Sequence, residues 1–222
     1  MKFFFSSLGK KIQIAFSGLL LCVFLLMHLM NNMALFAGPD VFNGMVGALE
    51  SIKPLVRVLE VGLLLIFLMH IINALQLSWS NRKASLKQST SLTQNQTSTL
   101  NSRTMALSGS VILIFFIIHL RYLWYTYQQH LFIEPETYYD VILRNQWGYL
   151  GHTPTAIFYI LAILFIGFHL KHGFQSALKT FGILENSRCA FLYKIAFVFW
   201  GIIPAAFIVI ILSIQLGLIS NV

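Results

Sequence analysis

Five apolar blocks, each long enough to cross a lipid bilayer, constrain this chain more than any other feature. They run over about 12–36, 55–78, 105–128, 154–178 and 191–218, and a spanning helix needs about 20 such residues. Composition points the same way. Of 222 residues, 57% are hydrophobic and 10% are charged, too little polar surface for a water-soluble domain of this size. The expected fold is all-α: one polytopic membrane domain over 1–222, with five transmembrane helices forming a bundle.

The start, Met1 to Lys10, resembles the front of a signal peptide, but the apolar run behind it outlasts an h-region and no small-x-small site closes it. It reads as a retained first helix. Between the second and third blocks, 80–104 is rich in Ser, Thr, Asn and Gln and reads as a polar cytoplasmic loop. The sequon Asn95-Gln96-Thr97 inside it carries no meaning on that side. No repeat of 20–50 residues is present. Cys22 lies in an apolar block and Cys189 in a polar connection, so neither a disulfide framework nor a metal-ligand spacing is expected.

The net charge of +8 is not a nucleic-acid footprint, because the basic residues flank apolar blocks and form no stripe. It is an orientation signal. With the N-terminus cytoplasmic, Lys2, Lys10, Lys11, Arg82, Lys83, Lys87, Arg103, Lys171, Lys179, Arg188 and Lys194 all fall on the cytoplasmic side. Lys53, Arg57 and Arg144 lie at or near the other side, with Arg121 inside a helix; Asp40, Glu50, Glu60, Glu134, Glu136 and Asp140 also fall toward that side, with Glu185 the acidic exception. This is a positive-inside pattern, and five crossings then put the C-terminus outside.

Each of the first four blocks carries a histidine: His28, His70, His119 and His169. Each comes about 14–16 residues after its block enters the membrane, or about 21–24 Å of travel at 1.5 Å per residue. Because the helices alternate in direction, a constant offset puts His28 and His119 near the outer face and His70 and His169 near the cytoplasmic face. Two imidazoles on facing helices are what a haem iron with two axial histidines requires, and ionisable residues inside a membrane are functional by default. A non-haem metal site would need histidines and carboxylates converging at one depth, which this pattern lacks. The remaining histidines are weaker candidates. His130 lies at the outer end of the third helix as an interface residue, quinone contact or proton relay. His152 is a boundary residue before Thr153-Pro154. His172, three residues beyond His169 on the same face, is an alternative ligand or a partner for a haem propionate.

Three segments carry a family resemblance: Phe24-Leu25-Leu26-Met27-His28-Leu29, Glu50-Ser51-Ile52-Lys53-Pro54-Leu55-Val56-Arg57-Val58-Leu59-Glu60 leading to His70, and His169-Leu170-Lys171-His172-Gly173-Phe174-Gln175-Ser176 followed by Thr180-Phe181-Gly182-Ile183. In these the chain resembles the membrane-anchor cytochrome b subunits of succinate:quinone oxidoreductases and quinol:fumarate reductases, of the type with one five-helix anchor and two haems b. The spacing of Gly173 prefers His169 over His172 as ligand. The resemblance implies a proximal haem on His70 and His169, a distal haem on His28 and His119, a bacterial cytoplasmic membrane, and a quinone, with menaquinone the expected one. It also implies a flavoprotein and an iron–sulfur subunit docked on the basic face. The chain itself has no dinucleotide fingerprint and no cysteine cluster, so dicarboxylate chemistry is expected on those partners. Some fumarate-reducing members carry a Glu two residues before the helix-four ligand as a proton route. This chain has Gly167 there, which favours succinate oxidation.

The same implication assigns expected roles to further residues. His172 and Lys179 are propionate partners on the proximal side and Arg121 on the distal side, where snorkelling is the alternative for Arg121 and a membrane anchor for Lys179. Glu50, Ser51, Arg57, Glu60 and His130 are the polar groups near a distal quinone site, with salt bridges and caps as the structural alternative. Trp124, Tyr125 and Tyr127 read as an aromatic belt. The competing functions are a fumarate reductase anchor running in reverse, the dihaem anchor of another respiratory enzyme, and a cofactor-free transporter, which would show Gly/Pro-broken helices and midplane polar residues.

Overall fold

The computed structural model describes residue 4 and residues 6–88, 100–183 and 189–220 (backbone alone at 82, 84–88, 100–104 and 189–190). Among them every regular element is helical, and five stretches are long and apolar enough to cross a membrane: Ser7–Ala37, Lys53–Asn81, Met105–Gln128, Thr153–Thr180 and Phe191–Gln215. The chain is a five-helix membrane bundle.

The first span is α1 (Ser7–Met33), opened by Ser6, whose hydroxyl accepts from the Gly9 amide at 3.0 Å. A 3₁₀ turn over Ala34–Ala37 ends it. Gly38, at φ 92°, then reverses the chain into α2 (Pro39–Ser51), a conformation that glycine takes without strain. The second span is α3 (Lys53–Gln88). The third is α4 (Leu100–His119), a π turn at Leu120–Trp124, and α5 (Tyr125–Gln128). A short α6 (Tyr138–Leu143) follows, then the fourth span α7 (Thr153–Thr180). The fifth is α8 (Cys189–Phe197), a second π turn at Val198–Ile202, and α9 (Ile203–Gln215).

Two sequence expectations need correction. The polar segment 80–104 is helical over 80–88 and 100–104, because a formed span nucleates its own extension and Ala84, Leu86, Lys87 and Gln88 are good helix formers. The rest of it, with the sequon Asn95-Gln96-Thr97, lies outside the described residues, as do Lys2, Glu185 and Arg188. Cys189 opens α8 rather than sitting in a connection. The sequence reading also passed over α2 and α6, whose apolar content is too short to cross a membrane.

Packing pairs fix the arrangement. α1 lies along α3 and α7, and α4 lies along α7. The rings of Phe67 and Phe116, 4.2 Å apart, join α3 to α4. The first four spans therefore run in the cyclic order α3, α1, α7, α4, so that α1 faces α4 and α3 faces α7 across the bundle axis. Neighbours are antiparallel: Asn73 bonds Gln13 and His70 meets Ser17 between α3 and α1, while Phe115 meets Tyr159 and Ser108 meets His169 between α4 and α7. The fifth span packs outside, on α7 and α1. It comes so close to α7 that a Cβ on Gly167 would stand 3.1 Å from the Trp200 carbonyl oxygen in the π turn.

The two ends of the bundle differ. The end holding the start of α1 is the near end, and the opposite one is the far end. The far end is capped by α2, α6 and their loops, which bury Leu35, Phe42, Tyr139, Val141 and Ile142 to 5% exposure or less; a fully buried apolar side chain is worth about 1.5–3 kcal/mol. The Asn43 carboxamide accepts from the Tyr139 amide at 3.0 Å. Arg144, its side chain 9% exposed, pairs with Glu136 and donates to the Tyr149 hydroxyl and the Leu131 carbonyl. Gly148, at φ 97°, lies under the Tyr122 ring, where a Cβ would come within 2.1 Å. At the near end the described residues include no comparable cap.

Candidate functional site

The histidines of the first four spans form two pairs, and each pair crosses a diagonal of the bundle. In the near pair, His70 of α3 faces His169 of α7 with ring centroids 6.5 Å apart and planes at 63°. In the far pair, His28 of α1 faces His119 of α4 at 5.7 Å and 87°. Diagonal helices do not pack on one another, so each pair looks across the axis rather than along a helix–helix seam. All four histidines are half-buried.

The near pair is held from behind by hydroxyls. Ser17 Oγ lies 3.0 Å from His70 Nδ1, and Ser108 Oγ lies 3.2 Å from His169 Nδ1. The residue after each serine is glycine: a Cβ on Gly18 would stand 3.3 Å from His70 Cε1, and one on Gly109 would stand 3.9 Å from His169 Cε1. One turn away, Asn73 donates to the Gln13 carboxamide at 2.9 Å, a polar crosslink of α3 to α1 inside the apolar spans.

The far pair has aromatic neighbours instead. Phe24 and Phe207 lie 5.5 and 5.7 Å from His28, and Phe115 and Tyr159 lie 5.5 and 6.0 Å from His119. His119 Nδ1 is buried and has no hydrogen-bond partner among the described residues. Three of these neighbours, Phe24, Phe115 and Phe207, come from three different spans.

The levels are set by one interval used twice. Ser17 to His28 on α1, and Ser108 to His119 on α4, both span eleven residues, or about 16 Å of helix. Each of these helices thus supports the near pair and supplies a histidine to the far pair.

The pairs suit a metal carried by a planar macrocycle. Two imidazoles that clamp one metal from opposite sides, with metal–nitrogen bonds of about 2 Å, hold their ring centroids about 6 Å apart. The observed separations bracket that value. Among the described residues no group of three or more His, Cys, Asp or Glu converges to hold an ion, so two imidazoles are all that each level offers; in a bis-histidine haem the porphyrin supplies the other donors. A Cβ on Gly173, one turn after His169 on the same face, would meet nothing within 4 Å, which leaves room for a macrocycle edge beside the near pair.

The remaining candidates are spread more widely. His172 is half-buried on the face of His169 toward the near end, and Lys179 is exposed ten residues beyond His169, about 15 Å away along the helix. Arg121 is not brought to the far pair. It is exposed, and its guanidinium lies over the rings of Tyr122 and Tyr125 at 5.7 and 4.9 Å.

The expected quinone-site residues form two adjoining clusters at the far end. In one, Lys53 donates to Glu50 at 3.1 Å, and His130 Nε2 stands 3.9 Å from the same carboxylate. The Lys53 hydrogen bond holds the Glu50 carboxyl below its ordinary pKa, while burial and the Glu50 charge push the Tyr138 phenol up. In the other, Glu60 accepts from Arg57 at 2.7 Å and from Trp124 Nε1 at 2.9 Å, and Arg57 also donates to Gln128. Ser51 stands apart, its hydroxyl on the Ala48 carbonyl as a helix-end bond. His152 stands at the N-cap position of α7 without a side-chain cap bond to the backbone, its Nδ1 3.0 Å from Thr155 Oγ1.

Sequence reasoning missed Ser17, Ser108, Gln13, Asn73 and Gln128, and it read Trp124 as belt alone. A signal for the serines was present: a Ser-Gly dipeptide stands in each of two apolar blocks, eleven residues ahead of a histidine. No known family model, curated protein or solved structure matches the chain.

Proposed function

We propose that the chain is the membrane-anchor cytochrome b of a succinate:quinone oxidoreductase, holding one haem b between His70 and His169 and a second between His28 and His119. The observation that carries this reading is the pair of histidine pairs, each across a bundle diagonal at a spacing that suits one metal. When bound, the two haems supply one-electron transfer between the levels.

The chain's own residues do the rest. The near end carries Lys10, Lys11, Lys83, Lys171, Lys179 and Lys194, and the far end carries Asp40, Glu50, Glu60, Glu134, Glu136 and Asp140. This sidedness supports a cytoplasmic near end in a bacterial inner membrane, where a flavoprotein and an iron–sulfur subunit dock and the dicarboxylate is oxidised. His172 and Lys179 lie on the side from which near-level propionates would be met. At the far end Glu60, Arg57, Trp124 and Gln128 form a polar patch at the mouth of the α3–α4 seam. There Glu60 takes or gives the protons of a quinone, menaquinone being the expected one, and Glu50 and His130 relay them. The succinate-oxidising direction is favoured over fumarate reduction by Gly167, which carries no proton-bearing side chain and whose Cβ position lies a tight 3.1 Å from the Trp200 carbonyl oxygen.

The test is a dithionite-reduced minus oxidised spectrum of the purified chain with pyridine-haemochrome quantitation. Two haems b per chain are expected. His28→Ala and His119→Ala each remove one species, and His70→Ala and His169→Ala each remove the other. A chain without haem, or with a haem indifferent to these changes, sinks the reading.

A further inference from the structure

Each near-level serine has one hydroxyl proton, and the backbone claims it. Ser17 Oγ donates to the Gln13 carbonyl at 2.6 Å, with the Ile14 carbonyl at 3.1 Å. Ser108 Oγ donates to the Met105 carbonyl at 3.1 Å. A serine on an apolar helix satisfies its proton on the preceding turn in this way. What remains on each oxygen is acceptor capacity, and the group placed to use it is an imidazole nitrogen: His70 Nδ1 at 3.0 Å and His169 Nδ1 at 3.2 Å. A neutral imidazole carries one proton. If Nδ1 donates to serine, Nε2 is bare. Gly18, the residue after Ser17, lets α1 approach edge-on to the His70 ring, its Cβ position 3.3 Å from Cε1.

We propose that Ser17 and Ser108 are positioning residues that lock His70 and His169 as Nδ1–H tautomers, so that both Nε2 lone pairs are presented to one metal on the bundle axis. This deepens the haem reading and rests on it. A ligating histidine that donates its second N–H to an acceptor has its ring orientation fixed and its donor strength raised. The near level supplies that acceptor from the neighbouring helix at both ligands. At the far level His119 Nδ1 has no partner among the described residues, so the device is specific to one site. A stronger imidazole donor stabilises the oxidised metal. Loss of either serine hydroxyl therefore raises the midpoint potential of the near site and leaves the far site where it was.

The experiment uses the haem-loaded chain in detergent, with redox titration and low-temperature EPR resolving the two ferric species. Ser17→Ala, Ser108→Ala and the double variant are compared with Ser17→Thr and Ser108→Thr. The expected result is an upward potential shift and an altered EPR signal confined to the near species, larger in the double variant and restored by threonine. Loss of near haem alone, also restored by threonine, supports the proposal equally, because the retained far haem reports that the bundle is folded. An unmoved near potential, equal shifts at both sites, or threonine behaving as alanine overturns it. Histidine ¹⁵N NMR of the haem-free chain separates this from failure of the haem reading. Protonated Nδ1 on His70 and His169 is expected there, and protonated Nε2 on either overturns the tautomer assignment whatever the haem content.

Discussion

The near and far histidine pairs use the same residue type, the same diagonal geometry and the same bundle, yet they are secured in different ways. The near pair is tied by hydrogen bonds from adjacent helices and sits at an end without a described cap. The far pair has aromatic rings around it and an Nδ1, that of His119, with no hydrogen-bond partner among the described residues, beneath a cap that includes two short helices. The difference separates two means of holding an imidazole in a membrane. Polar ties fix ring orientation directly. Packing fixes it only as well as the surrounding shell stays closed. Near-level geometry should therefore tolerate damage to the fold at a distance, and far-level geometry should not.

The strongest way to break this comparison is to open the cap. Gly148→Ala places a Cβ into the Tyr122 ring at a residue with φ 97°. It is expected to destabilise the far end by about 4 kcal/mol and, on the haem reading proposed above, to disorder the far ferric species while the near one keeps its spectrum; equal damage to both would show that the levels are not independently held. Glu136→Ala is next, because it strands a nearly buried Arg144. A loss of about 3 kcal/mol, read as a lower thermal midpoint in detergent, should again fall on the far species.

The near level is probed by a smaller change. Gly18→Ala must push His70 Cε1 back from 3.3 Å, whereas Gly109→Ala meets His169 Cε1 at an ordinary 3.9 Å. The first is expected to cost about 1–2 kcal/mol and to shift the near species, and the second to do neither. Potentiometric titration of the two variants tests it, and the idea fails if they behave alike. The smallest effect is with pH. The Arg144 hydrogen bond holds the Glu136 carboxyl below its ordinary value of 4.5. A lowered carboxyl pKa contributes stability that is present above that value and lost as acid titrates the group. The far species should be insensitive to pH from 8 to about 5 and decline below the usual carboxylate range, ahead of the near species.

Much of this architecture was readable in advance because bilayer thickness turns length and apolarity into topology. Five blocks predicted five spans, and equal offsets in alternating helices predicted which histidines share a depth. The misses have a common cause. α2, α6 and the helical extensions at 80–88 and 100–104 depend on propensity and tertiary packing, and no hydropathy pattern marks them. Ser17 and Ser108 looked like ordinary small residues, since whether a serine faces a neighbour's histidine is decided by helix rotation. Arg121, expected either beside a distal propionate or snorkelling outward, is exposed and stacks on Tyr122 and Tyr125.

The eleven-residue interval between the two levels has an electrical consequence. About 16 Å along the helices is roughly half of a 30 Å hydrocarbon core. On the function proposed above, an electron moving from one level to the other crosses about half of the transmembrane voltage, worth about 1 kcal/mol per 100 mV. With Gly167 sealed against the Trp200 carbonyl, no side chain at that position carries a proton to cancel the movement. Turnover in sealed vesicles should therefore slow or quicken with the sign of an imposed potential, making the bundle a voltage-sensitive wire.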